Sequence, residues 1–286
     1  MHHTKTASVD KFPRWTAAVC ACVLCGCAAA PATPSLQATI LASTPNATAV
    51  KRAEAAATAI GAQDYARAIT QAQAAVDADP NASMAWYQLG NAHSYAASVA
   101  ADVQQRDSYY TEAIRAYERA AELNTTDGAI LHNLGTAYLQ NGRLTDAQKA
   151  FERALTIDPA DPKTLYMLGT IYLLETAQNT PQANQRAREK FEQALQSDPG
   201  LAVAYIGLAQ VYINEGDAGH ALDNARRGVE LSGNQVDPFS YWQLAQAQCA
   251  MKDAKGGAET LQRILAANVP NDAFNQQVRS LLNTCK

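Results

Sequence analysis

Six cysteines and five histidines are the side chains of this 286-residue sequence best suited to covalent or metal chemistry. Their spacing sorts them. Cys20, Cys22, Cys25 and Cys27 crowd into one apolar stretch near the N-terminus, whereas Cys249 and Cys285 stand apart at the other end. His2 and His3 open the chain; His93, His132 and His220 are scattered, without the paired spacing a zinc site needs. There is no phosphate loop of the form GxxxxGK(S/T) or GxGxxG, no HExxH and no GxSxG. Carboxylates such as Glu118, Glu152, Glu192 and Asp158 are spread as solvated-surface and turn residues rather than paired. These patterns point away from an enzyme, a metal site or a cofactor.

The elements around the first four cysteines explain them. Residues 1–14 hold Lys5, Lys11 and Arg14, and residues 15–24 are apolar and uncharged. Ten helical residues rise ~15 Å, about half a bilayer core, too short to span it. A basic head, a short apolar stretch and small residues after it read as an export signal. Leu24-Cys25-Gly26-Cys27 resembles the bacterial lipoprotein signal. The resemblance implies that residues 1–27 form a signal peptide and that Cys27 receives a diacylglyceryl thioether. With Ala28 rather than aspartate next, it implies an outer-membrane anchor facing the periplasm in a diderm organism. Two other cuts stay open: Val19-Cys20-Ala21-Cys22 fits the same pattern, and Ala28-Ala29-Ala30 resembles an ordinary signal-peptidase site. Residues 28–48, rich in Pro, Thr, Ser and Ala, read as a flexible tether that reaches roughly 60 Å when extended.

The remainder has the composition of a folded helical protein, 48% hydrophobic and 17% charged with only 15 glycines and 11 prolines. Net charge is −4; the first 27 residues carry three basic groups against one acid, which leaves −6 for the body. A mildly acidic body lacks the basic stripe that nucleic acid requires.

A fixed period organises the rest. In residues 128–161, Leu131, Leu134, Gly135 and Tyr138 form a stripe at helical spacing; Ala147, Phe151 and Ala154 form a second, and Pro159 ends it. The frame returns in 162–201 as Leu165, Leu168, Gly169, Tyr172, Ala187, Phe191, Ala194 and Pro199. It returns again in 83–127 and 202–235, and in worn form in 49–82 and 238–271. This pattern resembles the tetratricopeptide repeat. The resemblance implies an all-α, right-handed superhelical solenoid of antiparallel helix hairpins, about six units over 49–271, with residues 272–286 as a capping helix. Insertions at about 95–107 and 175–183 fall between the two helices of a hairpin and should lengthen helices or loops on one edge.

In this family the first helices line a concave groove. The matching positions here are Tyr87, Asn91, His132, Lys163, Tyr166, Ile206, Gln210 and Trp242, a mixed aromatic, aliphatic and amide trough expected to bind protein. Some members grip a C-terminal carboxylate with two lysines, two asparagines and an arginine. Asn91, Asn133 and Lys163 hold three of those places, but Tyr87 and Met167 hold the others, which removes two of three cations. Stacked hairpins would also bring Cys249 and Cys285 to neighbouring helix ends, and export permits a disulfide between them. The expected function is a lipid-anchored scaffold or adaptor for envelope proteins or peptides; the alternative is a groove receptor for a small molecule or exported peptide.

Overall fold

Small residues recur wherever two helices must approach, and the hairpins follow from that. A computed structural model describes residues 46–176, 182–233, 237–267 and 269–285, and among these it contains thirteen α-helices and no strand. They are α1 (Ala47–Gly61), α2 (Tyr65–Ala78), α3 (Ser83–Val99), α4 (Val103–Leu123), α5 (Gly128–Gln140), α6 (Leu144–Ile157) and α7 (Pro162–Thr176). There follow α8 (Ala183–Ser197), α9 (Ala202–Glu215), α10 (Ala218–Ser232), α11 (Pro238–Ala250), α12 (Ala254–Ala266) and α13 (Asp272–Thr284). Successive pairs from α1–α2 to α11–α12 make six hairpins, and α13 follows alone. The signal segment, Cys27 and residues 28–45 lie outside the described residues, as do residues 177–181 of the second insertion.

Aspartate sets most turns. Asp64, Asp217 and Asp253 accept from the N–H three residues on and cap second helices. Between hairpins, Asp79, Asp158 and Asp198 accept from the N–H two residues on, at 3.0, 3.1 and 2.9 Å. Residues 46–48, assigned above to the tether, belong instead to α1 and its cap. Asn46 Oδ1 accepts from Thr48 N at 2.9 Å, and Asn46 Nδ2 donates to Ala78 O at 3.0 Å, tying the first helix to the end of the second.

Inside the hairpins an aromatic ring on the second helix enters a gap left by glycine on the first. Tyr117, Phe151 and Phe191 are buried against Gly90, Gly135 and Gly169. A Cβ on Gly169 would lie 2.7 Å from Phe191 Cε1, so only glycine admits the ring. Alanines at the remaining contacts, such as Ala113, Ala147, Ala187 and Ala221, are fully buried.

Packing is serial: each helix meets the next one, and several meet the next but one. Among the described residues, consecutive first helices pack together (α1 with α3, α3 with α5, α7 with α9, α9 with α11), whereas consecutive second helices make at most slight contact. The array therefore bends with its first helices on the inner wall. The insertion at 95–107 lengthens α3 and α4 to 17 and 21 residues. Stacking of Tyr65 on Tyr95 (centroids 6.2 Å apart) braces this arm, whose tip exposes Val99 and Val103.

Candidate functional site

The inner wall is built from α3, α5, α7, α9 and α11. Near its N-terminal end a neutral network ties two hairpins together. Tyr117 Oη donates to Asn91 Oδ1 at 2.7 Å, and Asn133 Nδ2 reaches both Asn91 Oδ1 and Tyr87 Oη at 3.1 Å. Burial raises the pKa of Tyr87 and, more strongly, of Tyr117, so both phenols stay protonated. The two asparagines are thus bound to phenols, and Met167 is buried at 3% exposure, so no cationic carboxylate grip forms here.

His132 Nδ1 is 2.8 Å from Thr164 Oγ1, whose hydroxyl donates to Asp161, and its ring lies 5.7 Å from that of Phe151. Burial lowers the His132 pKa; Asp161 opposes the shift and exposed Lys163 adds to it. Farther along, Gln210 is half-buried, and Thr136, Val203, Ile213 and Gln246 are partly open.

Two expected groove residues are not on the surface. Tyr166 is 7% and Ile206 4% exposed. The reason is the glycine gap: once a ring enters it, the residue one turn earlier on the first helix lies against that ring. Tyr87 meets Tyr117, His132 meets Phe151 and Tyr166 meets Phe191, with centroids 6.1, 5.7 and 5.7 Å apart. Ile206 is buried differently: its own side chain fills the space over Gly228 on α10. Trp242 is half-buried, with its ring edge-on to Phe274 of α13 at 5.9 Å. The trough is accordingly more polar than the sequence implied. Asn133 and Gln246 are half-buried on it, and Gln243 lies buried behind it.

Cys249 and Cys285 form a disulfide, Cα–Cα 5.1 Å, at the ends of α11 and α13. Gly257 makes room for it: a Cβ there would lie 2.6 and 2.7 Å from the two sulfurs. Two concavities stand out among the described residues. One is a crevice of about 20 Å³ beside Tyr87 and Asp127; the other is an open groove of about 630 Å³ between α4 and α6, lined by Glu118, Tyr138, Lys149 and Arg153. Neither is a closed apolar chamber.

Residues 52–94 and 108–168 each match a tetratricopeptide repeat family. No curated protein matches the chain in sequence. Among solved structures it is similar to the APC/C hetero-tetramer Cut9–Hcn1, with 19% identity, TM-score 0.68, and coverage of 83% of this chain and 43% of that one. It is similar to PilF of Pseudomonas aeruginosa at 15% identity and TM-score 0.65, over 82% of this chain and 97% of that one. It is also similar to PilW, described as a widely conserved type IV pilus biogenesis factor, at 18% identity and TM-score 0.65, over 82% and 99%. At these identities the likeness is one of fold.

Proposed function

We propose that this chain, a solenoid of tetratricopeptide repeats, is a non-catalytic adaptor that receives an extended segment of another protein along its concave face. The observation that carries the reading is the lining of that face. Half-buried amides and hydroxyls (Asn91, Asn133, Thr136, Gln210, Gln246) stand with the aliphatic Val203 and Ile213 on the first helices α3, α5, α9 and α11. Fixed polar groups beside apolar area suit main-chain hydrogen bonds with side-chain burial between them.

The same reading takes the protein to be exported and held by a lipid on Cys27. The Leu24–Cys27 sequence supports it. So does the Cys249–Cys285 bond, because disulfides persist in oxidising, extracytoplasmic compartments. PilF and PilW match over nearly their whole lengths, so assembly of an envelope complex is the first partner class to test.

Photo-crosslinking residues at Thr136 and Ile213, on the inner wall, should capture proteins in cells that the same residues at Lys149 and Arg227, on second helices, do not. Identical captures from both sets would discard the concave face as the working surface. A Cys27→Ser variant should leave the membrane fraction or accumulate as precursor; unchanged processing and attachment would remove the anchor from the proposal.

A further inference from the structure

The second helices α4 and α6 make at most slight contact, and the open groove of about 630 Å³ lies between them, on the outer face of the array. Small residues leave this space. Ala121 on α4 and Ala150 on α6 line its flanks, and Leu134 and Tyr138 of α5 are buried at its floor. The charged lining sits at helical spacing. Glu118 and Glu122 stand one turn apart on α4; Asp146, Lys149 and Arg153 follow one another along α6.

These charges do not cancel, because the carboxylates are already engaged. Tyr138 Oη donates to Glu118; Arg119 holds Glu122 at 2.8 Å; Arg143 holds Asp146 at 2.7 Å; and Glu152, next to Arg153, accepts from Gln148 at 2.7 Å. Burial and the adjoining Glu118 raise the Tyr138 pKa, so its phenol keeps the proton it donates. Lys149 and Arg153 are left over. Both are exposed, one turn apart, with no ion pair or side-chain hydrogen bond among the described residues. Unpaired cations mean little on a flat surface. These two line a concavity whose volume falls within the roughly 300–1,000 Å³ of ligand sites.

We propose that the outer groove docks an acidic segment of a second partner protein, with two carboxylates on Lys149 and Arg153 and an apolar side chain between Ala121 and Ala150. Charge complementarity selects this occupant. A basic segment would meet the two free cations. Nucleic acid would need a longer basic stripe and would face Glu118 and Glu122 across the groove. Those same two acids turn the acidic edge of the segment toward α6.

The test titrates the full, isotope-labelled chain with a capped Glu-Leu-Glu-Leu-Glu peptide and with its uncharged Gln-Leu-Gln-Leu-Gln counterpart. The acidic peptide should shift the side-chain resonances of Lys149 and Arg153 and the ring resonances of Tyr138 saturably, and should bind more weakly as salt rises. The uncharged peptide should bind about tenfold more weakly, the worth of two exposed ion pairs. Lys149→Gln/Arg153→Gln should weaken the acidic peptide by the same factor with an unchanged melting temperature. Lys252→Gln/Lys255→Gln removes equal charge from the last hairpin and should bind as before. Equal binding of the two peptides, an equal loss in the two double variants, or shifts that pass over Tyr138 would overturn the groove in favour of general charge attraction. Should the Lys149→Gln/Arg153→Gln chain melt lower, the two peptides and the salt series on the unaltered chain decide the matter. The outer groove does not depend on the concave face: crosslinks from Lys149 should hold proteins different from those held at Thr136, and either reading can fail without the other.

Discussion

The ring of Phe151 fills the space that a side chain on Gly135 would need: a Cβ there would lie 2.7 Å from Phe151 Cε1. The two positions are locked together, one empty because the other is full. Gly135→Ala should overpack the hairpin and cost about 1–3 kcal/mol. Phe151→Ala should open a cavity and cost about 3–5 kcal/mol. Combining Gly135→Ala with Phe151→Leu should cost less than the sum of the two single changes. Strict additivity in urea melts would refute the coupling.

Tyr166 and Ile206 should behave as core residues. Tyr166→Ala and Ile206→Ala should each lower stability by about 2–5 kcal/mol, whereas Lys163→Ala, on the same face but exposed, should leave the melt within about 0.5 kcal/mol. A Tyr166→Ala chain that melts normally would return that residue to the surface.

Reduction should act locally. The Cys249–Cys285 bond closes a 36-residue separation, which in the chain-entropy model stabilises by roughly 4 kcal/mol. Because α13 packs on α12 and reaches α11 through the disulfide and the Trp242–Phe274 contact, the loss should fall on the last hairpin and α13. Hydrogen exchange after treatment with a dithiol should speed up from about residue 238 onward and stay unchanged in α5 and α6. Uniform acceleration along the chain would contradict this.

Acid should weaken the array. Burial lowers the pKa of both His93 and His132, against the opposing pull of Glu112 and Asp161 respectively. The unfolded chain therefore takes up protons first. The stability these neutral rings allow is fully present above the ordinary histidine pKa, about 6.5, and is lost as pH falls through their lower folded values. The melting temperature should drop between about pH 7 and pH 5, and a His93→Gln/His132→Gln chain should drop less. An equal fall in both would assign the effect to other groups.

The hairpin frame was readable because it depends on residue size at fixed spacing. Gly135 with Phe151, and Gly169 with Phe191, announce close approach whatever surrounds them. The inner wall was less readable. Tyr166 and Trp242 occupy equivalent positions, yet one is buried under its own hairpin's ring and the other is half-covered by α13. Exposure there depends on a neighbour forty or fewer residues away, not on the residue itself. Gln243 was missed for a related reason. Glutamine in a helix reads as solvated, and nothing local reveals that its oxygen is enclosed without a donor.

Serial packing has a mechanical consequence. Among the described residues every substantial helix contact is with the next helix or the next but one, so tension applied at residue 46 meets one hairpin at a time rather than a shared core. The array should lengthen in steps, each step releasing about one repeat, beginning at the α1–α2 pair, whose own buried residues are alanines and a single valine. The opposite end, stitched between α11 and α13, should yield last. Such a chain is a graded extensible link, stiff under small loads and longer under large ones, with its most durable segment farthest from the point of pull.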